Sequence, residues 1–156
     1  PLRLVGSEMC IRDRCKSNKN ISYICTINAI NVMDEHHCLL CMGSNTNRYA
    51  QLSVAREALR ATFPDIHFGE MMETEAVGSG FHSPFSNQLA KFSTTLSPDS
   101  VRDLFKELER RSGRIPEDKA QGVVKLDIDL LVFDNKILKP EDMEREYIRR
   151  GMSVLF

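Results

Sequence analysis

The sequence has no apolar run that approaches the roughly 20 residues needed to cross a bilayer, which excludes a helical membrane span. It has almost no net charge. Lys and Arg number 21 against 22 Asp and Glu, leaving −1 over 156 residues, so nothing marks a general nucleic-acid or membrane-surface binder. Internal repeats are absent, which sets aside solenoids and other repeat arrays. Tryptophan is absent too. What remains is 42% hydrophobic and 28% charged, the balance of an ordinary soluble globular protein, in a length that suits one domain.

A usable set of cysteines is also lacking, once the first 32 residues are set apart. That segment holds five of the basic and two of the acidic residues, leaving 16 and 20 in residues 33–156. It shows neither helical nor strand periodicity, and its charges break up any signal-peptide core. Leu4 to Arg14, "LVGSEMCIRDR", resembles one reading frame of a transposase-based sequencing adapter. Residues 1–32 therefore read as adapter plus upstream translation, with a natural start at Met33; a disordered native arm is the alternative. Cys10, Cys15 and Cys25 go with that segment. Cys38 and Cys41 remain, in "HHCLLCMG" beside His36 and His37. Structural zinc takes two ligand pairs separated by a loop, and there is no second pair. Residues three apart on a strand face opposite ways, so the expectation is two buried, inert thiols in a reducing, cytoplasmic setting.

The rest of the chain divides cleanly. "HCLLCMGSN" reads as a strand ending at Gly43. In "RYAQLSVAREALRATF", Leu52, Ala55, Leu59 and Phe63 recur at helical spacing, and Pro64 comes next as a stop. "DIHFGEMMETEA" and "PFSNQLAKFSTTL" read as extended segments around the loop "VGSGFHSP". "SPDSVRDLFKELERRSG" has Ser97 as N-cap, Pro98 in the first turn, an apolar stripe of Val101, Leu104, Phe105 and Leu108, and Gly113 as the stop. "RIPEDKAQGVV" reads as a polar loop, "KLDIDLLVF" as a strand, "DNKILKP" as a turn into a short edge strand, and "PEDMEREYIRRG" as a closing helix. The order β-α-β-β-α-β predicts an α+β, ferredoxin-like sandwich, mostly antiparallel, with the helices on one face and the other face open to ligands.

The unusual feature is the pair of aspartates in "KLDIDLLVF". Strict alternation puts Leu126, Ile128, Leu130 and Val132 on the helix side, with Lys125, Asp127, Asp129, Leu131 and Phe133 on the other. Two carboxylates one pleat apart repel unless a cation joins them. Mg²⁺, which takes one or two carboxylates plus substrate phosphates, is one candidate. An ion pair between Lys125 and Asp127 is the other.

Four pieces in order carry a family resemblance: "MGSN" (Met42 to Asn45), "PFSN" (Pro84 to Asn87), "ELERRSGR" (Glu107 to Arg114) and "LDIDLLVF" (Leu126 to Phe133). Together they resemble 6-hydroxymethyl-7,8-dihydropterin pyrophosphokinase, an enzyme of folate biosynthesis with a ferredoxin-like fold. The resemblance implies pyrophosphoryl transfer from ATP to the pterin hydroxymethyl group, with release of AMP. It implies two Mg²⁺ ions held by Asp127 and Asp129, with Arg114 also at the reaction centre. It implies a pterin site made by Thr74, Phe85 and Asn87, and nucleotide contacts from Glu109, Arg114, Lys119, Lys125 and Arg150. It also implies a monomer acting on ATP and a hydroxymethyl dihydropterin, with no nucleic-acid or membrane partner.

The chain departs from the family pattern in the loop before the aspartates. There Ala120 and Gln121 stand for Arg-Trp, and Val123 and Val124 for Pro-Arg. Glu75 and Ala76 replace Pro-Pro, and Met152 stands where an aromatic is expected before the sequence stops. A short family member and a truncated one would both look like this. Three readings stay open: an active enzyme with an altered ATP loop; a weak or silent paralogue that binds a pterin or nucleotide; and a plain interaction domain in which Phe85 is core, Glu109 and Arg114 are a solvated helix end, and Asp127 pairs with Lys125.

Overall fold

The computed structural model describes residues 34–76 and 83–156, apart from the Lys119 side chain. The leader expected over residues 1–32, the start at Met33 and most of the "VGSGFHSP" loop lie outside the described residues. Among the described residues, five strands and five helices succeed one another: β1 (His36–Ser44), α1 (Arg48–Thr62), β2 (His67–Thr74), β3 (Phe85–Thr94), α2 (Pro98–Arg111), α3 (Pro116–Ala120), β4 (Asp127–Phe133), β5 (Lys136–Ile137), α4 (Pro140–Met143) and α5 (Glu146–Leu155). The strands form one sheet in the order β2-β3-β1-β4-β5. Every neighbouring pair is antiparallel. With β1 and β3 in the centre, this is the expected α+β, ferredoxin-like arrangement.

The two long helices form where the apolar spacing placed them. α1 buries Leu52, Ala55 and Leu59. α2 starts at Ser97, whose side chain accepts a hydrogen bond from the Ser100 backbone N–H, and it buries Val101 and Phe105. Both lie on the same face of the sheet, packed on Cys38, Leu40, Met42, Ala90, Phe92, Ile128 and Leu130. Each large apolar side chain fully buried there stabilises the fold by about 1.5–3 kcal/mol.

The second face is only partly open. α5 lies on it, and Ile148 packs with Leu39, Cys41, Leu89 and Leu131. The closing helix expected from Pro140 to Gly151 is therefore two helices. Arg145 is extended, with φ −68° and ψ 135°, and this break separates α4 from α5. Gly151 does not stop α5. It is buried in it, and an added Cβ would fall 2.7 Å from Leu89 Cδ1 and 2.8 Å from Met72 Cε. The glycine is what lets the helix settle onto the sheet.

Two further expectations change. The strict alternation of β4 fails at its end, because Leu39 pairs with Val132 while Leu40 pairs with Leu130. Leu131 is the extra residue of a bulge, and a bulge shifts the parity of the residues after it. So Phe133 joins the helix-side core, and Val132 packs on the α5 side, the reverse of the simple pattern. The stretch "RIPEDKAQGVV" is not all loop. Asp118 accepts the Ile115 N–H at 2.9 Å, a local cap that closes the one turn of α3 begun by Pro116.

The cysteines are as expected. Cys38 and Cys41 are free and buried, and they belong to the cores on opposite faces. Burial, with help from nearby carboxylates, pushes both thiols up to about 12.

Candidate active site

The part of the second face that α5 leaves clear holds both aspartates and Asn87. Gly43 of β1 pairs with Asn87 of β3 on one side and with Asp127 of β4 on the other. Residues paired across a sheet project to the same face, so Asn87, Gly43 and Asp127 form a row. Cys41 pairs likewise with Leu89 and Asp129, which puts the second aspartate in the next row on the same face. Both carboxylates remain accessible, at 40% for Asp127 and 28% for Asp129.

Asn87 is buried. Its Nδ2 donates to Thr74 Oγ1 at 2.8 Å, and its Oδ1 occupies space that only a glycine opposite allows: a Cβ on Gly43 would lie 2.5 Å away. Phe85, half-buried at the start of β3, pairs with Thr74. Thr74, Phe85 and Asn87 thus lie together on one face.

The cation facing each aspartate belongs to the chain itself, and it is not Lys125. Arg114 Nη1 donates to Asp127 Oδ1 at 2.9 Å and to Glu109 Oε2 at 2.7 Å. Lys139 Nζ pairs with Asp129 Oδ1. Lys125 instead donates to the Gly113 carbonyl at 2.7 Å and lies 3.2 Å from Asp118. The Lys125–Asp127 pair, the alternative to a bound cation, is not made. Lys125 precedes β4 and bends toward the α2–α3 connection, where a carbonyl and a carboxylate already wait.

Glu109 is not a solvated helix end. It is 3% exposed and accepts from Lys106 Nζ at 2.9 Å, from Arg114, and from the Ile128 backbone N–H at 3.1 Å. A buried carboxylate is tolerated when its oxygens are this well satisfied. It ties α2 to β4 and aims Arg114 at Asp127. Gly113, at φ +83°, makes the left-handed turn that brings Arg114 back toward the sheet. Partial burial works to lower the Arg114 pKa, but Asp127 and Glu109 outweigh it and the net shift is upward. Its charge is permanent.

The loop ahead of β4 is fastened from the "MGSN" segment. Asn45, buried, donates from Nδ2 to the Gly122 carbonyl at 2.7 Å and accepts the Val124 N–H at 2.7 Å. Ser44 Oγ donates to the Thr46 and Val124 carbonyls. Arg150 is exposed on α5. The Lys119 side chain lies outside the described residues.

Sequence reading missed Gly43, Asn45 and Lys139. The first two lay inside a quoted motif but had no partner until the strands were paired. Lys139 had no signal in the strand pattern. The β4–β5 hairpin about Asp134–Asn135 pairs Phe133 with Lys136 and Val132 with Ile137. Two more pairs in that register would set Lys139 opposite Leu130, on the face away from Asp129.

Among the described residues, no group of three or more His, Cys, Asp or Glu is placed to hold a metal. The protein offers two hard carboxylate oxygens on one face, each already drawing a cation. That donor set fits Mg²⁺ if most of the coordination comes from water and substrate phosphate. Among the described residues, no helix is long and apolar enough to cross a membrane.

Fold and site together define a ferredoxin-like domain with two carboxylates beside an amide-and-aromatic cluster on one face of its sheet. Residues 39–155 match the family of 7,8-dihydro-6-hydroxymethylpterin-pyrophosphokinase, and the chain belongs to that family of folate-biosynthesis transferases. No curated protein matches it.

Proposed function

We propose that this chain transfers pyrophosphate from ATP to 6-hydroxymethyl-7,8-dihydropterin and releases AMP. The observation that carries this reading is the row Asn87–Gly43–Asp127. It sets Asn87 and Asp127 two strand spacings apart, about 10 Å between backbones. A flat pterin held by Asn87 and Thr74, with Phe85 against its ring, would carry its hydroxymethyl group toward phosphates held at Asp127 and Asp129.

The transfer needs alignment and charge neutralisation more than covalent help. The pterin hydroxyl oxygen forms a bond to the β-phosphorus, the bond from that phosphorus to the α,β-bridging oxygen breaks, AMP departs, and the hydroxyl proton is released. Asn87 offers both a donor and an acceptor to the ring edge. Arg114, held by Glu109, is the arginine nearest the phosphates and can grip them bidentately as it leaves Asp127. Lys119, Lys125 and Arg150 are the remaining cations for the nucleotide, in place of the arginines and the tryptophan expected in the loop. Mg²⁺ on Asp127 and Asp129 would neutralise phosphate charge. The sequence resemblance implies two such ions.

One observation favours the alternative, a weak or silent paralogue that binds a pterin or nucleotide. Lys125 is already committed to Asp118 and Gly113, so the loop offers ATP few free cations. The test is AMP release from ATP with Mg²⁺ and the hydroxymethyl dihydropterin. AMP that requires the pterin and is lost in Asp127→Ala establishes the enzyme. Pterin binding by fluorescence without AMP establishes the binding module.

A further inference from the structure

We infer that Lys139 is a built-in cation of this site, filling the position of one of the two metal ions, so that a single divalent ion accompanies the nucleotide. The nucleotide part of this inference rests on the pyrophosphokinase reading; the part that concerns Asp129 does not.

Lys139 is not a loose surface lysine that happens to reach a carboxylate. Its backbone is fixed on both sides. The preceding Leu138 N–H donates to the Leu131 carbonyl at 2.8 Å, and its own carbonyl accepts the Met143 N–H at 3.3 Å. Pro140 comes directly after it and fixes its own φ as α4 begins. From that anchor the ammonium reaches Asp129, and Asp142 Oδ2 lies 4.0 Å away. Asp142 is in turn held by Arg145 at 2.9 Å. The ammonium therefore sits between two carboxylates on a hairpin end, where the sheet itself sets its position. A lysine head is a compact point charge, the nearest side-chain equivalent of a bound cation.

Charge balance gives the second argument. Glu109, Asp127, Asp129 and Asp142 are matched by Lys106, Arg114, Lys139 and Arg145 through ion pairs. A neutral cluster has no surplus field with which to gather two divalent ions. Arg114 is the mobile half of the pairing at Asp127, since phosphate is its competing partner. Lys139 is held at its backbone on both sides, which keeps its head within reach of Asp129. A divalent ion at Asp127 then shares Asp129 with an ammonium and enters with the phosphates.

The test uses Mn²⁺ in place of Mg²⁺, counted by electron paramagnetic resonance on the full chain, for wild type, Lys139→Gln and Lys139→Arg. Without nucleotide, Lys139→Gln should bind Mn²⁺ about tenfold or more tightly than wild type, because a nearby positive charge has gone. Lys139→Arg, which keeps the charge, should match wild type. With a non-cleavable α,β-methylene ATP and the pterin, wild type should hold one Mn²⁺ per chain and Lys139→Gln two. Two ions in wild type, or equal Mn²⁺ affinity of wild type and Lys139→Gln without nucleotide, overturns the inference. If the ATP analogue binds neither protein, the pyrophosphokinase reading fails, and the nucleotide-free comparison still decides the role of Lys139.

Discussion

Replacing Gly43 by alanine tests the link between sheet register and ligand pocket most directly. The new Cβ would stand 2.5 Å from Asn87 Oδ1 and 3.7 Å from Asn87 Cγ, a contact that packed atoms do not make. The strand backbone cannot retreat, because Gly43 is paired on both sides. The Asn87 amide must turn, and its 2.8 Å bond to Thr74 goes with it. Leaving that buried amide poorly satisfied costs about 1–3 kcal/mol. Alanine returns about 0.5–1 kcal/mol, because glycine is a poor strand residue. The net loss, about 1 kcal/mol at mid-range and at most about 2.5 kcal/mol, corresponds to about 2–4 °C in Tm at mid-range for a chain of this size. Thermal unfolding measures that part. Fluorescence titration with the hydroxymethyl dihydropterin measures the other, and the Kd should rise about tenfold, the equivalent of about 1.4 kcal/mol. Nucleotide binding should be unchanged, since no Asp127 atom is among the nearest neighbours of the new Cβ. A variant that melts and binds pterin like wild type would show that Asn87 is not held as described. Equal loss of pterin and nucleotide binding would mean the strand itself had moved.

Other expectations rest on the same contacts. Glu109→Ala removes the acceptor for Arg114, Lys106 and the Ile128 N–H, and urea unfolding should show a loss of about 1–3 kcal/mol, the cost of leaving the buried Ile128 N–H without a partner. Asn45→Ala cuts both ties to residues 122 and 124; stability should fall by about 1–3 kcal/mol, and amide hydrogen exchange should rise first in residues 115–124. Cys38 supplies a pH dependence. Burial raises its thiol from 9.0 to about 12, so above pH 9 the unfolded chain loses that proton while the folded one keeps it. Stability should fall as pH climbs from about 9 toward 12, by up to about 1.4 kcal/mol per unit for this group, and Cys38→Ala should show a shallower slope in urea midpoints between pH 8 and 10.

Much of the fold was legible because it depends on local periodicity. The apolar spacing of Leu52, Ala55 and Leu59, and the cap at Ser97 with its stripe from Val101, specify helices whatever they later pack against. The order of elements then leaves few sheet topologies. The placement of both aspartates on one face was legible for the same reason, since a period of two over three residues needs no tertiary information. So was the separation of Cys38 from Cys41.

What only the tertiary structure decided is anything that depends on a neighbour distant in sequence. The bulge at Leu131 turns Val132 and Phe133 about, because the register against β1 and not the strand's own pattern sets the parity there. α5 covers part of the face expected to be open, because Gly151 fits against Leu89 and Met72. The partner of Asp127 is Arg114 and not Lys125, because a buried glutamate on α2 aims it. The sequence by itself determined which residues carry charge and, up to the bulge at Leu131, which way the residues of β4 point. Which cation meets which carboxylate was settled by chain segments folding onto one another, since an ion pair depends on distance in space and is indifferent to distance along the chain.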